Sequence, residues 1–330
     1  MDRQLIGHMT LSILSVMLAL GIAEGVVRLM GYREAQVDDR PFSSTWAKTD
    51  PVLGWVNRRG TFVTDEPGNR KMTFQPDGSR HDPELEKKSH MAPEVIVIGC
   101  SYTQGYGLFD GETFSSMLNR RFPKVRFINF GTGGYGAYQS LLRLKMEFFQ
   151  RETKPQMVIY GFVEDHLQRD VVSPEWANSL HGSDGTTIMP PHIRLDLDKQ
   201  KFREYPQQVR QLLPLEKTSA LLHLAHNVGS AMRNRINRNE RLAVSAYVIR
   251  EMQNIVTSTG GSFLLVGLDF QSADVELHLR SLSVDYADCR ITPQGLTPEF
   301  RLGGYAHPNE KANESWAACI TDAISRSYPL

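Results

Sequence analysis

Val95-Ile-Val-Ile-Gly-Cys-Ser-Tyr-Thr-Gln-Gly-Tyr-Gly107 is an apolar run that stops abruptly at Gly-Cys-Ser and gives way to small and turn-forming residues. An unbroken β-branched run with no polar alternation suits a strand covered on both faces, as in a parallel sheet with helices on either side. Ligands collect at the carboxyl ends of such strands. The segment therefore predicts a buried strand that delivers one hydroxyl, Ser101, to the edge of a sheet. An ordinary strand-to-helix turn with an incidental serine gives the same local pattern, so the rest of the chain has to decide.

Downstream, the strand, turn, helix alternation continues. An amphipathic run over Thr113–Arg121 is followed by a strand at Val125–Phe130, a helical run at Tyr138–Arg151 and further strands at Met157–Val163 and Ser262–Leu268. This order implies βαβ units and right-handed crossovers around a parallel sheet. Residues 167–240 hold Pro-rich and charged loops and then helical spacing over Thr218–Met232, which reads as an insertion. A last helix is expected to begin near Pro308 and to run through Trp316 and Ile320 toward Ile324.

Upstream, Leu5–Ala23 carries no formal charge if His8 is neutral and is long enough to cross a bilayer. Gly21 and Ala23 suit a signal peptidase, whereas apolar character continuing through Gly25–Met30 favours an uncleaved anchor. Arg3 before the segment and Arg28 and Arg33 after it do not choose a side of the membrane. The expected organisation is thus an anchor or signal segment at 1–33, a membrane-proximal linker and irregular lead-in at 34–92, and an α/β domain at 93–330.

Composition narrows the function. Among the 330 residues, Lys plus Arg and Asp plus Glu both number 37, so no overall basic field draws nucleic acid, and none is expected as a partner. The local stretch Arg233–Arg241 reads as a solvated helix end or loop. Cys100, Cys289 and Cys319 match no metal-ligand spacing; a Cys289–Cys319 disulfide is open on spacing alone.

Four blocks fall at strand ends or before the last helix: Gly99-Cys-Ser-Tyr-Thr103, Asn129-Phe-Gly-Thr-Gly-Gly-Tyr-Gly136, Gly161-Phe-Val-Glu-Asp-His166 and Ala306-His-Pro-Asn309. In this order they resemble the SGNH hydrolase superfamily, also called GDSL-like esterases, over residues 94–326 with a gap for the insertion. Asp50-Pro-Val-Leu-Gly-Trp55 and Asp77-Gly-Ser-Arg80 resemble its membrane-anchored bacterial branch. The resemblance implies a three-layer α/β/α sandwich, flavodoxin-like, with a central parallel sheet and an N-terminal transmembrane helix. It makes Ser101 the nucleophile and His307 its base, with the N–H groups of Ser101 and Gly134 and the residue at Glu164 around the oxyanion. A serine hydroxyl is a weak nucleophile that needs such a base.

The chain departs from the family in three places. Cys100 replaces the aspartate before the serine, Glu164 replaces an asparagine donor, and Gly304 and Tyr305 stand where an aspartate orients the histidine. An ionised glutamate accepts hydrogen bonds and so helps an oxyanion only if protonated. A backbone carbonyl, Glu299 or a residue of the insertion is left to hold the imidazole. Cys100 as nucleophile is a sharper alternative, although neighbours on an extended chain point to opposite sides. Glu164, Asp165 and His166 are consecutive and cannot all face one ion, so no metal and no cofactor is expected.

The expected function is a serine esterase or O-acyltransferase acting on small acyl groups, acetyl above all, of a small molecule or a cell-surface glycan. It would be membrane-anchored with an extracytoplasmic catalytic domain. The alternative from another class is a catalytically inactive domain that binds a glycan or partner protein in an envelope assembly. A lipase or phosphodiesterase acting on membrane lipid draws on the anchor alone.

Overall fold

The computed structural model describes residues 3–34, 46–64, 66, 68–180, 186–196, 199–211, 214–233, 237–304 and 307–328. The chain divides into two compact units. One comprises Met1–Pro41, Ser173–Met189 and Val209–Arg235, and the other Phe42–Val172, Pro190–Gln208 and Ile236–Leu330.

The larger unit is built on five parallel strands: β1 (Glu94–Gly99), β2 (Arg126–Asn129), β3 (Met157–Val163), β4 (Ser262–Asp269) and β5 (Tyr286–Asp288). Their spatial order is β2-β1-β3-β4-β5, the flavodoxin-like order in which the chain reverses direction across the sheet at β1 and β3. Both faces are covered. The α4 (Ala137–Gln150), α7 (Arg238–Thr257) and α8 (Ala273–Arg280) helices pack on the side of Ile96, Ile98, Tyr160 and Phe162. On the opposite side, α3 (Phe114–Arg121) and α9 (Glu310–Ser327) cover Val95, Val97, Ile159 and Val266. Strict alternation of these buried side chains across the strands follows from the two-residue period of the pleat. This is the three-layer α/β/α sandwich around a central parallel sheet that the sequence leads one to expect.

The stretch from Phe42, within the expected linker and irregular lead-in, lies in this unit. It folds as two antiparallel hairpins, Ala47–Asp50 with Gly54–Asn57 and Gly60–Val63 with Lys71–Phe74. Strands this short are marginal alone; here they bury Leu53, Trp55, Met72 and Phe74. The smaller unit contains α1 (Arg3–Leu29) and α6 (Ala220–Arg233). From Gly7 to Leu29, α1 is long and apolar enough to cross a membrane. Its apolar side chains from Met9 to Ile22 are exposed on every side of the helix. At Glu24 the character changes: the carboxylate accepts from Ser219 Oγ (2.8 Å), Ala220 N (2.9 Å) and Leu221 N (2.9 Å), capping α6. The uninterrupted apolar length before Glu24 spans roughly 28 Å at 1.5 Å per residue, close to a bilayer core.

Candidate active site

Ser101 opens the short helix α2 (Ser101–Gln104) directly after β1. The elbow between them needs Gly99, whose φ is +153° and whose missing Cβ would lie 2.2 Å from Thr103 Oγ1 and 2.8 Å from the Gly161 carbonyl. Any side chain there would force α2 away from β3. Cys100 is fully buried in the α3/α9 face of the core, and burial pushes its thiol up, away from the thiolate form. Ser101 retains a small exposure at the sheet edge. The two neighbours therefore point to different environments, and the hydroxyl is the one available to a substrate.

The second block packs against α2. Asn129 Nδ2 donates to the Thr103 carbonyl (2.7 Å) and to Ser115 Oγ (2.9 Å), Asn129 Oδ1 accepts from Gly131 N (2.8 Å), and Thr132 N donates to the Gly99 carbonyl (3.0 Å). Gly134, with φ +80°, sits in a turn closed by Tyr135 N donating to the Thr132 carbonyl (3.2 Å). The hairpins hold this loop from outside. Trp55 Nε1 donates to the Gly133 carbonyl (2.9 Å), and Asn57 Nδ2 donates to the Gly131 carbonyl (3.0 Å). From the sheet side, Asp170 Oδ1 accepts from Tyr138 N (2.8 Å) in the first turn of α4, just beyond the loop.

His307 lies before α9, tied by Leu302 N donating to its carbonyl (2.8 Å) and by Asn309 N donating to the Phe300 carbonyl (2.9 Å). Its ring packs on Tyr106 at 4.7 Å and edge-on to Tyr102 at 6.2 Å between centroids, the residues flanking the Ser101 turn. Tyr102 in turn stacks on the buried Trp316 of α9 at 6.0 Å. Such aromatic pairs contribute about 0.5–1.5 kcal/mol each beyond burial and fix the approach of α9 to α2.

The group that orients His307 is Glu66. Its Oε1 lies 2.7 Å from His307 Nδ1, with the Glu66 side chain 9% and the His307 side chain 32% exposed. A carboxylate only accepts, so Nδ1 carries the proton and Nε2 of the neutral ring is left as a base. Gly107 makes room for this pair: a Cβ at its φ of +80° would meet Glu66 Cγ at 2.8 Å. Among the described residues, none of the groups expected from the sequence is hydrogen-bonded to His307 Nδ1. The Glu299 carbonyl is engaged by Asn309 Nδ2 (2.7 Å), Gly304 ends a 3-10 turn, and Tyr305 and Ala306 lie outside the described residues.

Glu164 also differs from expectation. Its carboxylate accepts from Gln271 N (3.0 Å), Ser272 N (3.1 Å) and Arg238 Nη2 (3.0 Å), and from Ser272 Oγ. Partial burial works to raise its pKa, but the bonds from Ser272, Gln271 and Arg238 outweigh burial and hold it below the usual carboxylate range. An ionised group with every contact an acceptor contact has no proton to offer an oxyanion, so Glu164 is a brace at the start of α8. Beyond it, Asp165 pairs with Arg169 at 3.3 Å, while His166 turns into the core and bonds Tyr160 at 2.6 Å through Nδ1. Cys289 and Cys319, undecided from spacing, form a disulfide with Cα atoms 5.7 Å apart.

No protein-family model matches the chain, and no curated protein matches it. Among solved structures it is similar to a member of the lipolytic protein G-D-S-L family from Veillonella parvula, with 12% identity over 71% of this chain and 100% of that chain and a TM-score of 0.40. It is also similar to LAE5, an alpha/beta hydrolase enzyme from the metagenome of Lake Arreo, with 16% identity over 71% and 97% of the chains and a TM-score of 0.39. A third is the psychrotrophic esterase EstA from Pseudoalteromonas sp., with 10% identity over 71% and 97% and a TM-score of 0.38.

Proposed function

We propose that this chain is a membrane-tethered serine esterase or O-acyltransferase that works on small acyl esters, acetyl above all, of a cell-surface glycan. The observation that carries the reading is the hydrogen bond from His307 Nδ1 to the Glu66 carboxylate at 2.7 Å, beside Tyr102 and Tyr106 of the Ser101 turn. A histidine held by a carboxylate and packed against a serine elbow is the arrangement nucleophilic acyl transfer needs.

In this mechanism Ser101 Oγ attacks the acyl carbonyl carbon and its proton passes to His307 Nε2. The resulting imidazolium is stabilised by Glu66. The N–H groups of Ser101 and Gly134 receive the oxyanion; each donor of this kind is worth about 10²–10³ in rate. Collapse breaks the ester C–O bond, and His307 returns the proton to the departing alkoxide oxygen. Water or a sugar hydroxyl, deprotonated by His307, then attacks the acyl-serine and releases the product. Partition between these two nucleophiles separates hydrolysis from transfer.

The Cys289–Cys319 disulfide supports an extracytoplasmic catalytic domain, because such bonds persist in oxidising compartments. The apolar length of α1 supports a tether. The test is direct. Fluorophosphonate labelling is expected at Ser101, and Ser101→Ala is expected to lose p-nitrophenyl acetate hydrolysis to background, a fall of about 10⁴-fold or more. A Ser101→Ala protein as fast as the parent overturns the assignment. The ionised Glu164, in place of a donor, favours the second reading of an inactive glycan-binding domain; a folded parent that neither labels nor hydrolyses supports it.

A further inference from the structure

Glu164 stands where the resemblance calls for a donor to the oxyanion, and it has none to give. Five residues further on, Arg169 closes the short helix α5 (His166–Arg169), with its side chain 12% exposed. Its guanidinium meets all three strand-end blocks. Nη1 donates to the Tyr135 carbonyl (3.1 Å), one residue beyond Gly134, and Nη2 pairs with Asp165 (3.3 Å). The same group hydrogen-bonds toward the buried thiol of Cys100, the neighbour of Ser101, and works to lower its pKa against burial. The blocks are pressed together at this point: a Cβ on Gly136 would lie 3.0 Å from Arg169 Cβ and 2.4 Å from Asp170 Oδ1.

The three contacts are not alike. Asp165, with its side chain 59% exposed, makes an ordinary i,i+4 surface pair, which contributes little by itself. The inner partners are a backbone carbonyl and a buried thiol, and neither can follow a moving side chain. A planar guanidinium presents several donors at fixed angles and can hold such partners together, where a lysine ammonium is a single point. Gly134, at φ +80°, sits in a turn whose one side is closed by Tyr135 N on the Thr132 carbonyl (3.2 Å); Arg169 takes the Tyr135 carbonyl on the other. We infer that Arg169 is a positioning residue for the acyl transfer. It ties the Gly134–Tyr135 turn to the Ser101 elbow and so keeps the two N–H groups assigned to the oxyanion at one spacing, the part of the third block that Glu164 leaves unfilled. The effect on chemistry rests on the esterase reading above; the clamp itself does not.

Two measurements on the full-length chain in detergent test this: p-nitrophenyl acetate kinetics, and hydrogen exchange of the peptide covering residues 131–136. Arg169→Met is expected to lower kcat about 10–10²-fold, the range of a charge-assisted hydrogen bond, with KM within about twofold of the parent. Preorganised donors matter in the transition state more than in the bound ester, so the loss falls on kcat. Arg169→Lys is expected to lose about three- to tenfold, and it decides the question if Arg169→Met does not fold. In both variants exchange over 131–136 is expected to run at least about tenfold faster, with Met157–Val163 as slow as in the parent. Parental kcat or parental loop exchange in a folded variant overturns the inference, as does a rise in KM at constant kcat, which would make Arg169 an ester-binding group. A parent that neither hydrolyses the ester nor takes a fluorophosphonate, with a loop that still loosens in Arg169→Lys, sinks the esterase reading and leaves the clamp. An active parent whose loop and kcat ignore both substitutions sinks the clamp alone.

Discussion

The carboxyl edge of the sheet and the hairpins of residues 47–74 contribute to one candidate site by different physical means. The edge places Ser101 because β1 is buried on both faces and must end where Gly99 lets the chain turn; the position is fixed by the same packing that stabilises the core. The hairpin region places Glu66 and clamps Gly131 and Gly133 through Asn57 and Trp55, using single hydrogen bonds on short strands. The Gly131–Gly134 loop is thus held from outside by Trp55 and Asn57, and the first turn of α4 just beyond it is held from the core by Asp170. The position of Ser101, the proposed nucleophile, depends on the fold as a whole, whereas that of Glu66, the proposed acid, depends on a segment that can be perturbed without removing the sheet.

The largest effect expected from breaking that division is at Glu66. Glu66→Gln keeps the size of the side chain but allows its amide N–H to face Nδ1, which favours the wrong histidine tautomer. The kcat for p-nitrophenyl acetate is expected to fall about 10⁴-fold with the circular dichroism spectrum unchanged. Glu66→Asp, too short to reach fully, is expected to fall less. A kcat within about tenfold of the parent for Glu66→Gln would show that another group orients the ring.

The same contrast explains what can be read from the chain before it folds. Met157–Val163 is a strand at the bounds its apolar run gives, and Thr113 and Asn309 cap the helices whose periodicity begins just after them. Tyr286–Asp288 escapes notice because three half-buried residues carry no period. The start of α7 hides within the basic stretch of Arg233–Arg241. Glu66 is hidden more deeply. It lies in Thr64-Asp-Glu-Pro-Gly68, inside the stretch read as an irregular lead-in, and it meets a histidine 241 positions away. Nothing local distinguishes it from the other carboxylates; the only signal is the empty position two or three residues before His307. Glu164 shows the reverse error. Placing a residue by its block position says where its backbone lies, but the donors of Ser272 and Arg238 decide its chemistry.

Asp170 probes the core side of the clamp. It is fully buried, and burial pushes its carboxyl up to about 7 against the bonds from α4 that lower it. Below about pH 4 the group is neutral in both folded and unfolded chains. As pH rises from about 4 to 7 the unfolded chain gives up a proton that the folded chain keeps, so this group removes stability across that window. At about 1.4 kcal/mol per unit the loss is on the order of 4 kcal/mol by neutral pH. Asp170→Asn is expected to remove this component: urea midpoints of the parent and the variant should diverge in favour of the variant as pH rises from 4.5 to 7.5. Parallel midpoints across that range would place the Asp170 pKa near its ordinary value.

Trp55 probes the outer side and should give the smallest change. In Trp55→Phe the ring still fills the hairpin, and its edge contact with Tyr135, 5.9 Å between centroids in the parent, can be largely kept. What is lost is the Nε1–H donated to the Gly133 carbonyl, a neutral buried hydrogen bond worth about 1 kcal/mol. Gly133 precedes Gly134, so slack in this carbonyl becomes slack in the N–H assigned to the oxyanion. Because that N–H matters more in the transition state than in the bound ester, the loss should fall on kcat, about fivefold, with KM nearly unchanged. An increase in KM at constant kcat would mean that the hairpin shapes the ester pocket and leaves the oxyanion loop to the core. A Trp55→Phe protein with parental kcat and a lowered urea midpoint would mean that the clamp serves the fold alone.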